Sequence, residues 1–379
     1  MPNANQLVRS FLWHSGLGRK IAAKYWQNKE EGRGFKYIHR QKIDVFSGIP
    51  VRFEDELYSK FIKADSERWR FQEEYVLEID DVLLEPERLL GTRPNRELVE
   101  QTVVYKGDRQ YPYILNHLMR PKQPTELPVA IWYDGSATRN YYHHFVDALS
   151  SLQQLDRSDL PKSTPLLITR KMFEQSFFQY LYKRSAFLQG LNWYVVGNEE
   201  WVHVGKLYKL QSAHFSPDTW RAMRKMYELP VTKPWRKVFL SRDKQKYGRY
   251  LANEAEAIAV MQKHGFEVVY AEHLTMEEQV QLFQETEYLV ALHGAGLIQQ
   301  FFMNYDHGHI IEIMPSNYLQ PLYYWQAYAA GMRYYDVVVG GDMREGKEYW
   351  VDVPRLEASV TRMLQNTHSG RVYGLTQLN

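Results

Sequence analysis

His143 and Asp147 stand four residues apart in Asn140-Tyr141-Tyr142-His143-His144-Phe145-Val146-Asp147, a spacing that brings two side chains together on one helical face. A carboxylate beside an imidazole holds it in one tautomer, so His143 backed by Asp147 could take a proton from a hydroxyl group. The same pair also serves as a purely structural contact, and both readings stand. Metal ligation competes for these residues, but His143, His144 and Asp147 lack a second well-spaced cluster, and no His-Glu-x-x-His or Asp-x-Asp motif occurs. Asp80 and Asp81 are adjacent, and in a strand they point to opposite faces. A metal-independent site is favoured, with Mg²⁺ or Mn²⁺ bridging substrate phosphates left open.

A second group is Leu292-His293-Gly294-Ala295-Gly296-Leu297, which follows an apolar strand-like run and opens a helical one. Glycines there permit a tight turn and clear the path of a ligand. The backbone N–H groups at the helix start then point at anionic phosphate oxygens. The plainer reading is a turn required for packing alone. Glu312 follows in Ile311-Glu312-Ile313-Met314-Pro315. A carboxylate at a strand end can accept both hydroxyls of a ribose. Within so apolar a strand it needs either a ligand or a buried partner.

A third group is Ser241-Arg242, then Arg249, Asn253 and Glu254. Arg249 and Asn253, four apart, can share a helical face. An arginine fork holds a diphosphate and stabilises charge on a departing nucleotide without a metal. Lys244 and Lys246 are expected to be exposed, and Glu254 either orients an arginine or caps the helix.

The elements that must position these groups alternate strand and helix. Val129–Tyr133, Pro165–Thr169 and Trp193–Val196 read as strands, with helices from Tyr142 to Leu155 and from Phe173 to Phe187. After Pro230 and Pro234 come strands at Lys237–Leu240, Phe266–Tyr270, Tyr288–Leu292, Ile310–Ile313 and Tyr335–Val339, with helices at 250–264, 275–286, 296–303 and 318–330. The fold class is α/β, with two Rossmann-like parallel-sheet domains facing an interdomain cleft. The boundaries expected are an N-terminal elaboration at 1–125 partly integrated with the first domain, a first domain at 126–230, a second at 231–340 and an extension at 341–379 that caps the second domain or returns to the first. Within 1–125 only short runs such as Tyr75–Ile79 read as strand, and Pro121–Pro128 reads as a connector.

Composition narrows the partners. A formal charge of +2 over 379 residues, with no basic arm, does not describe a nucleic-acid binder. The 28 Tyr and 10 Trp suit a cleft that stacks on sugars or bases, and equally an ordinary core. Without cysteine, disulfides, thiolate metal sites and cysteine catalysis are excluded. A cytoplasmic setting fits. No stretch approaches about 18 consecutive apolar residues, the length a spanning helix needs. The N-terminal run Leu7–Trp13, continuing through Arg19, Lys20, Lys24 and Tyr25, mixes apolar and basic residues as an interfacial helix does, which would bring the protein to the inner face of a membrane. It equally fits a helix packed on its own domain.

In Asn140–Asp147, in Ser241-Arg242 with Arg249 and Asn253-Glu254, in His293–Leu297 and in Glu312–Pro315, the sequence resembles glycosyltransferase family 61, whose bacterial members are often described as capsular polysaccharide biosynthesis proteins. The resemblance spans roughly residues 129–316. It implies a two-domain GT-B arrangement, a nucleotide-sugar donor, expected to be UDP-linked, held mainly by the second domain, and inversion at the anomeric carbon. It needs no bound prosthetic group, and a glycan or glycolipid hydroxyl is the acceptor. On this resemblance His143, or else Asp147, is the general base. Arg242, Arg249 and the His293–Gly296 turn hold the diphosphate, while Asn253, Glu254 and Glu312 complete the donor site. The sequence departs from the family at His144, where relatives commonly carry Trp, and at Gln299-Gln300-Phe301, where they commonly have Asn.

Rival readings each miss a feature. A dehydrogenase or epimerase would carry Gly-x-Gly-x-x-Gly near the first strand, and a phosphotransferase a Gly-rich Lys-Ser/Thr loop. A non-catalytic carbohydrate- or nucleotide-binding protein has less reason to pair arginines with a phosphate-binding turn; sugar transfer or donor hydrolysis separates it from an enzyme.

Overall fold

Runs of buried aliphatic residues form the central strands of two sheets in the computed structural model, which describes residues 17–27, 34–45, 53, 55–103, 111–121, 123–133, 140–229, 232–243, 249–345, 347–366, 371–373 and 376–378. The chain divides into two units, Met1–Lys42 with Glu73–Ser212, and Ile43–Gln72 with Ala213–Asn379. It therefore changes unit at 42/43, 72/73 and 212/213.

The first unit's sheet contains β1 (Phe35–Asp44), β2 (Phe71–Leu84), β3 (Gly91–Thr92), β4 (Thr125–Trp132), β5 (Leu166–Thr169), β6 (Trp193–Val196) and β7 (Val202–Gln211). Its order is β1-β2-β7-β4-β5-β6, with β3 paired to β2. Strands β7, β4, β5 and β6 are parallel, whereas β2 runs antiparallel to β7. This sheet is mixed, a correction to the purely parallel expectation. The Tyr75–Ile79 run is the middle of β2, and its Leu77, Ile79, Val82 and Leu84 join Ala130, Trp132 and Leu167 in one core. Strand β7 went unread because Gly205-Lys206 interrupts its apolar alternation. The glycine is required there, since a Cβ would lie 2.9 Å from the Pro128 carbonyl oxygen on β4.

The second unit's sheet contains β8 (Arg236–Leu240), β10 (Glu267–Val269), β11 (Thr286–Leu292), β12 (His309–Pro315), β13 (Tyr334–Gly340), β15 (Arg371–Tyr373) and β16 (Thr376–Leu378), while β9 (Tyr250–Leu251) and β14 (Glu348–Tyr349) pair separately. The order β10-β8-β11-β12-β13 is the 2-1-3-4-5 order of a doubly wound sheet, all parallel, extended by β15 and an antiparallel β16. Such a sheet binds ligands where the winding direction reverses, outside the carboxyl ends of the first and third strands. Here that place lies between β8 and β11, so Arg242 and His293 occupy it by topology.

Two further segments belong to this unit. The helix Val353–Gln365 buries Leu356, Val360 and Met363 against Val260 and Met261, so the C-terminal extension covers the second domain. The helix Glu56–Trp69 is capped by Asp55, which also accepts a hydrogen bond from Arg355 at 2.7 Å. Beside it, the Phe53 ring packs on Tyr58, Tyr324 and Tyr335. These partners are too far away in sequence for local periodicity to reveal.

Leu7–Trp13 lie outside the described residues. The helix that follows, Leu17–Gln27, buries Ala22 with Leu90, Leu98, Ile114 and Leu115 of its own unit and leaves Lys20 and Lys24 exposed. Among the described residues, no helix is long and apolar enough to cross a membrane.

Candidate active site

In the first unit, Asn140 caps the helix that follows β4 by accepting from the Tyr142 N–H at 3.0 Å. One turn of α-helix, Tyr141–His143, passes into a π-helical stretch, His144–Leu149, in place of the single helix expected to Leu155. π-turns are rare and frequent at functional sites, because the extra residue per turn re-aims side chains. Phe145, Val146, Ala148 and Leu149 enter the core, while His143 and Asp147 stay partly exposed. His143 Nδ1 lies 2.5 Å from Asp147 Oδ2. The carboxylate thus fixes the tautomer with the proton on Nδ1 and leaves Nε2 as the basic nitrogen.

His144, next along the chain, is fully buried among Phe145, Phe177 and Phe178, and neither ring nitrogen has a hydrogen-bond partner. An aromatic slot of this kind accounts for a large ring at this position. Burial drives the His144 pKa well below the ordinary 6.5, so the folded state keeps it neutral. The unfolded chain takes up a proton as pH falls through 6.5 and the folded chain does not, so stability is lost as the solution is acidified. His144→Phe, which removes two unsatisfied buried nitrogens, is expected to raise stability by about 1–3 kcal/mol. Its advantage in melting temperature should widen from pH 7 to pH 5. A variant that melts below wild type at both values would show that the ring nitrogens are satisfied.

In the second unit, β8 is followed by Ser241, whose N–H donates to Val269 O at 3.0 Å and whose hydroxyl donates to Glu254. Tyr270 OH also donates to Glu254, at 3.2 Å. Glu254 therefore braces the loop after β8. Asn253 is 7% exposed, and its side-chain amide makes two bonds to the backbone of Val351, at 2.9 and 3.1 Å. Both residues hold the loop together. Arg249 shares no helix with Asn253. The helix begins at Glu254, and Arg249 lies in the preceding loop at φ +71°, its guanidinium 5.4 Å from the Tyr318 ring centroid. Lys244 and Lys246 lie outside the described residues.

The turn after β11 meets Arg242 directly. A Cβ at Gly294 would lie 1.5 Å from Arg242 Nη2, so the guanidinium lies against the bare Cα. Gly294 precedes a 3₁₀-helix, Ala295–Phe302, whose Leu297 N–H donates back to Gly294 O at 2.9 Å. The N–H groups of Ala295 and Gly296 precede that bond and have no acceptor within the turn. Burial lowers the Arg242 pKa, and the charge of Arg249 lowers it further. Two like charges are thus held close together where the sheet reverses.

His293 is 4% exposed, and its Nδ1 lies 2.5 Å from Glu312 Oε1. The other Glu312 oxygen accepts from Tyr335 OH, and Glu312 is fully buried. Glu312 thus has buried partners, with both oxygens hydrogen-bonded inside the unit. The ring centroids of Tyr318 and Tyr323 lie 5.6 and 5.4 Å from that of His293. Gln299 and Gln300 are buried and bonded to Gln279 and Gln326, away from the turn. Sequence reasoning missed Tyr318, Tyr323 and Tyr335. Tyr318 was legible as an aromatic just past the end of a strand, whereas Tyr323 lies within the helix Leu322–Ala330 and Tyr335 within a strand. Among the described residues, no group of three or more His, Asp or Glu side chains is arranged to hold a metal ion.

Fold and site together define an α/β protein whose doubly wound sheet gathers two arginines and a glycine turn at its reversal point. Residues 141–310 match the family model Glycosyltransferase 61, and the match supports a glycosyltransferase of that family. The matched segment takes in the His143 helix, both arginines and the His293 turn, and stops just short of Glu312. No curated protein matches the chain.

Proposed function

We propose that the protein is an inverting glycosyltransferase that transfers a sugar from a UDP-linked donor to a hydroxyl of a glycan or glycolipid, in a GT-B arrangement and in the cytoplasm, where the N-terminal segment would dock at the inner face of a membrane. The observation that carries this reading is the packing of Arg242 against Gly294 beside Arg249 at the reversal point of the second sheet. A diphosphate there relieves the repulsion between the arginines and accepts from the N–H groups of Ala295 and Gly296. Glu312 fixes the His293 ring with the Nδ1 proton inward, which leaves Nε2 to accept from a hydroxyl of the donor. Tyr318, exposed on the rim, offers a ring to the base or sugar.

In the reaction the acceptor oxygen attacks the anomeric carbon from the face opposite the diphosphate. The C–O bond to the diphosphate breaks, and its electron pair leaves with the nucleotide. The acceptor proton passes to His143 Nε2, and Asp147 stabilises the imidazolium. The arginines carry the leaving group's charge without a required metal ion.

A mass-spectrometric screen of mixed nucleotide sugars with glycan and glycolipid acceptors tests this reading. Transfer from a UDP-sugar that persists in EDTA, with inversion at the new linkage, is expected. UDP at about 100 times its dissociation constant should add about 2.7 kcal/mol of stability. The reading is lost if no nucleoside diphosphate raises the melting temperature and no sugar is transferred.

A further inference from the structure

The first unit contains a cleft of about 540 Å³ that the roles given above do not use. That volume falls within the range of roughly 300–1,000 Å³ typical of small-molecule sites. Arg88, Arg170 and Lys171 line it against Glu87 and Glu174, so cations outnumber carboxylates. Thr169 and Asn198 place it at the carboxyl ends of β5 and β6, the edge where parallel sheets take ligands.

Hydrogen bonds hold the base of the cleft in place. Its buried base is the Glu85–Leu90 turn, organised by Glu85, which is fully buried and accepts from the N–H groups of Glu87, Arg88 and Leu90 at 3.0, 2.6 and 3.3 Å and from Asn116 Nδ2 at 2.9 Å. This fixes the backbone that presents Arg88, a residue only 9% exposed, with its guanidinium 5.1 Å from the Tyr113 ring centroid. On the opposite wall, Thr169 caps the helix Arg170–Phe173 by accepting from the Met172 N–H at 3.2 Å. Arg170 and Lys171 stay exposed at the rim.

The cleft is also tied to the His143 helix. Strands β4 and β5 are parallel neighbours, so the helix after β4 and the cleft after β5 lie on one edge of the sheet. The wall residue Gln175 leads directly into the helix Ser176–Arg184, whose Phe177 ring lies 5.2 Å from Tyr141 and 4.7 Å from His144, centroid to centroid. Those two residues flank Tyr142 and His143 in the chain.

We propose that this cleft binds an anionic saccharide through Arg88, Arg170 and Lys171, and that it selects acceptors carrying an acidic group. Arginine forks match planar carboxylates, while the polar lining suits hydroxyl-rich rings. Only the word acceptor rests on the glycosyltransferase reading; binding of the saccharide does not.

The test uses the full-length protein at low salt and isothermal titration with tetragalacturonate, its methyl ester and inorganic phosphate. Tetragalacturonate is expected to bind about tenfold more tightly than its ester, the scale of one charge-assisted contact. The double variant Arg170→Glu/Lys171→Glu changes exposed side chains only and should lose about tenfold in tetragalacturonate affinity while its stabilisation by UDP is unchanged. Arg88→Gln should lose a similar factor from the base of the cleft. Equal affinity for acid and ester, no binding of either, or unchanged affinity in the variants overturns the proposal. Phosphate binding as tightly as tetragalacturonate also overturns it, by making the ligand a free anion and not a sugar. A protein that binds tetragalacturonate as expected but ignores every nucleotide would instead sink the glycosyltransferase reading alone.

Discussion

His143→Ala is expected to lower the turnover number for sugar transfer by roughly 10²- to 10⁴-fold, the usual contribution of a positioned general base, with UDP affinity nearly unchanged. The split follows from where the residue lies. His143 sits after β4 in the first unit, whereas the groups assigned to the diphosphate sit after β8 and β11 in the second. Asp147→Asn refines the assignment. With Nδ1 held 2.5 Å from the carboxylate, the wild-type ring keeps its basic nitrogen outward. An asparagine keeps the shape but can donate to Nδ1, favouring the tautomer with the proton on Nε2. That variant should lose turnover and should shift the acidic limb of the pH profile to lower pH, because loss of the carboxylate makes the imidazole less basic, a shift that a purely structural pair would not produce. Transfer by His143→Ala at the wild-type rate would remove it from the mechanism. A far deeper loss in Asp147→Asn than in His143→Ala would make Asp147 the base.

The second large effect is expected from a single methyl group. Gly294→Ala places a Cβ 1.5 Å from Arg242 Nη2 and 2.4 Å from its Cζ, at a backbone φ of +154° that disfavours a side chain. The obstructing atoms are the far end of a flexible side chain, so the fold absorbs the methyl by swinging the guanidinium aside. Folding should survive while the diphosphate contact is lost. A hydrogen bond to a charged group contributes about 1.5–3 kcal/mol, so UDP affinity should fall roughly 10- to 150-fold. Arg242→Ala should fall by a similar factor, and the double variant Gly294→Ala/Arg242→Ala should be little worse than either. Additive losses would mean that the glycine and the arginine act separately. Unchanged UDP affinity in both single variants would remove the turn from donor binding.

What the sequence carried depended on whether the relevant contact was local. The strand-to-helix passage at Leu292–Leu297 was legible because an apolar run followed by two glycines is a local pattern with a local cause. So were the strands β8, β11, β12 and β13 and the His143–Asp147 pair, since strand burial and helical spacing both repeat over a few residues. Arg249 and Asn253 show where that reasoning stops. Four-residue spacing implies a shared helical face only if a helix is present, and the chain enters its helix at Glu254.

Residue types and local spacing were therefore enough to determine the α/β class, the glycine turn after β11, the arginines that follow β8, and the histidine–carboxylate pair. The tertiary structure decided what each polar group is bonded to. It turned Glu312 inward between His293 and Tyr335, clamped Asn253 to Val351, and brought Phe53 and Tyr58 from the N-terminal part of the chain into the second unit. A buried polar group must find its hydrogen-bond partner wherever packing supplies one, often far away in sequence, and no local periodicity records that choice. The meeting of Arg242 with Gly294 is of the same kind. It exists because β8 and β11 are hydrogen-bonded neighbours in a 2-1-3-4-5 sheet, an order that strand-forming residues alone do not specify.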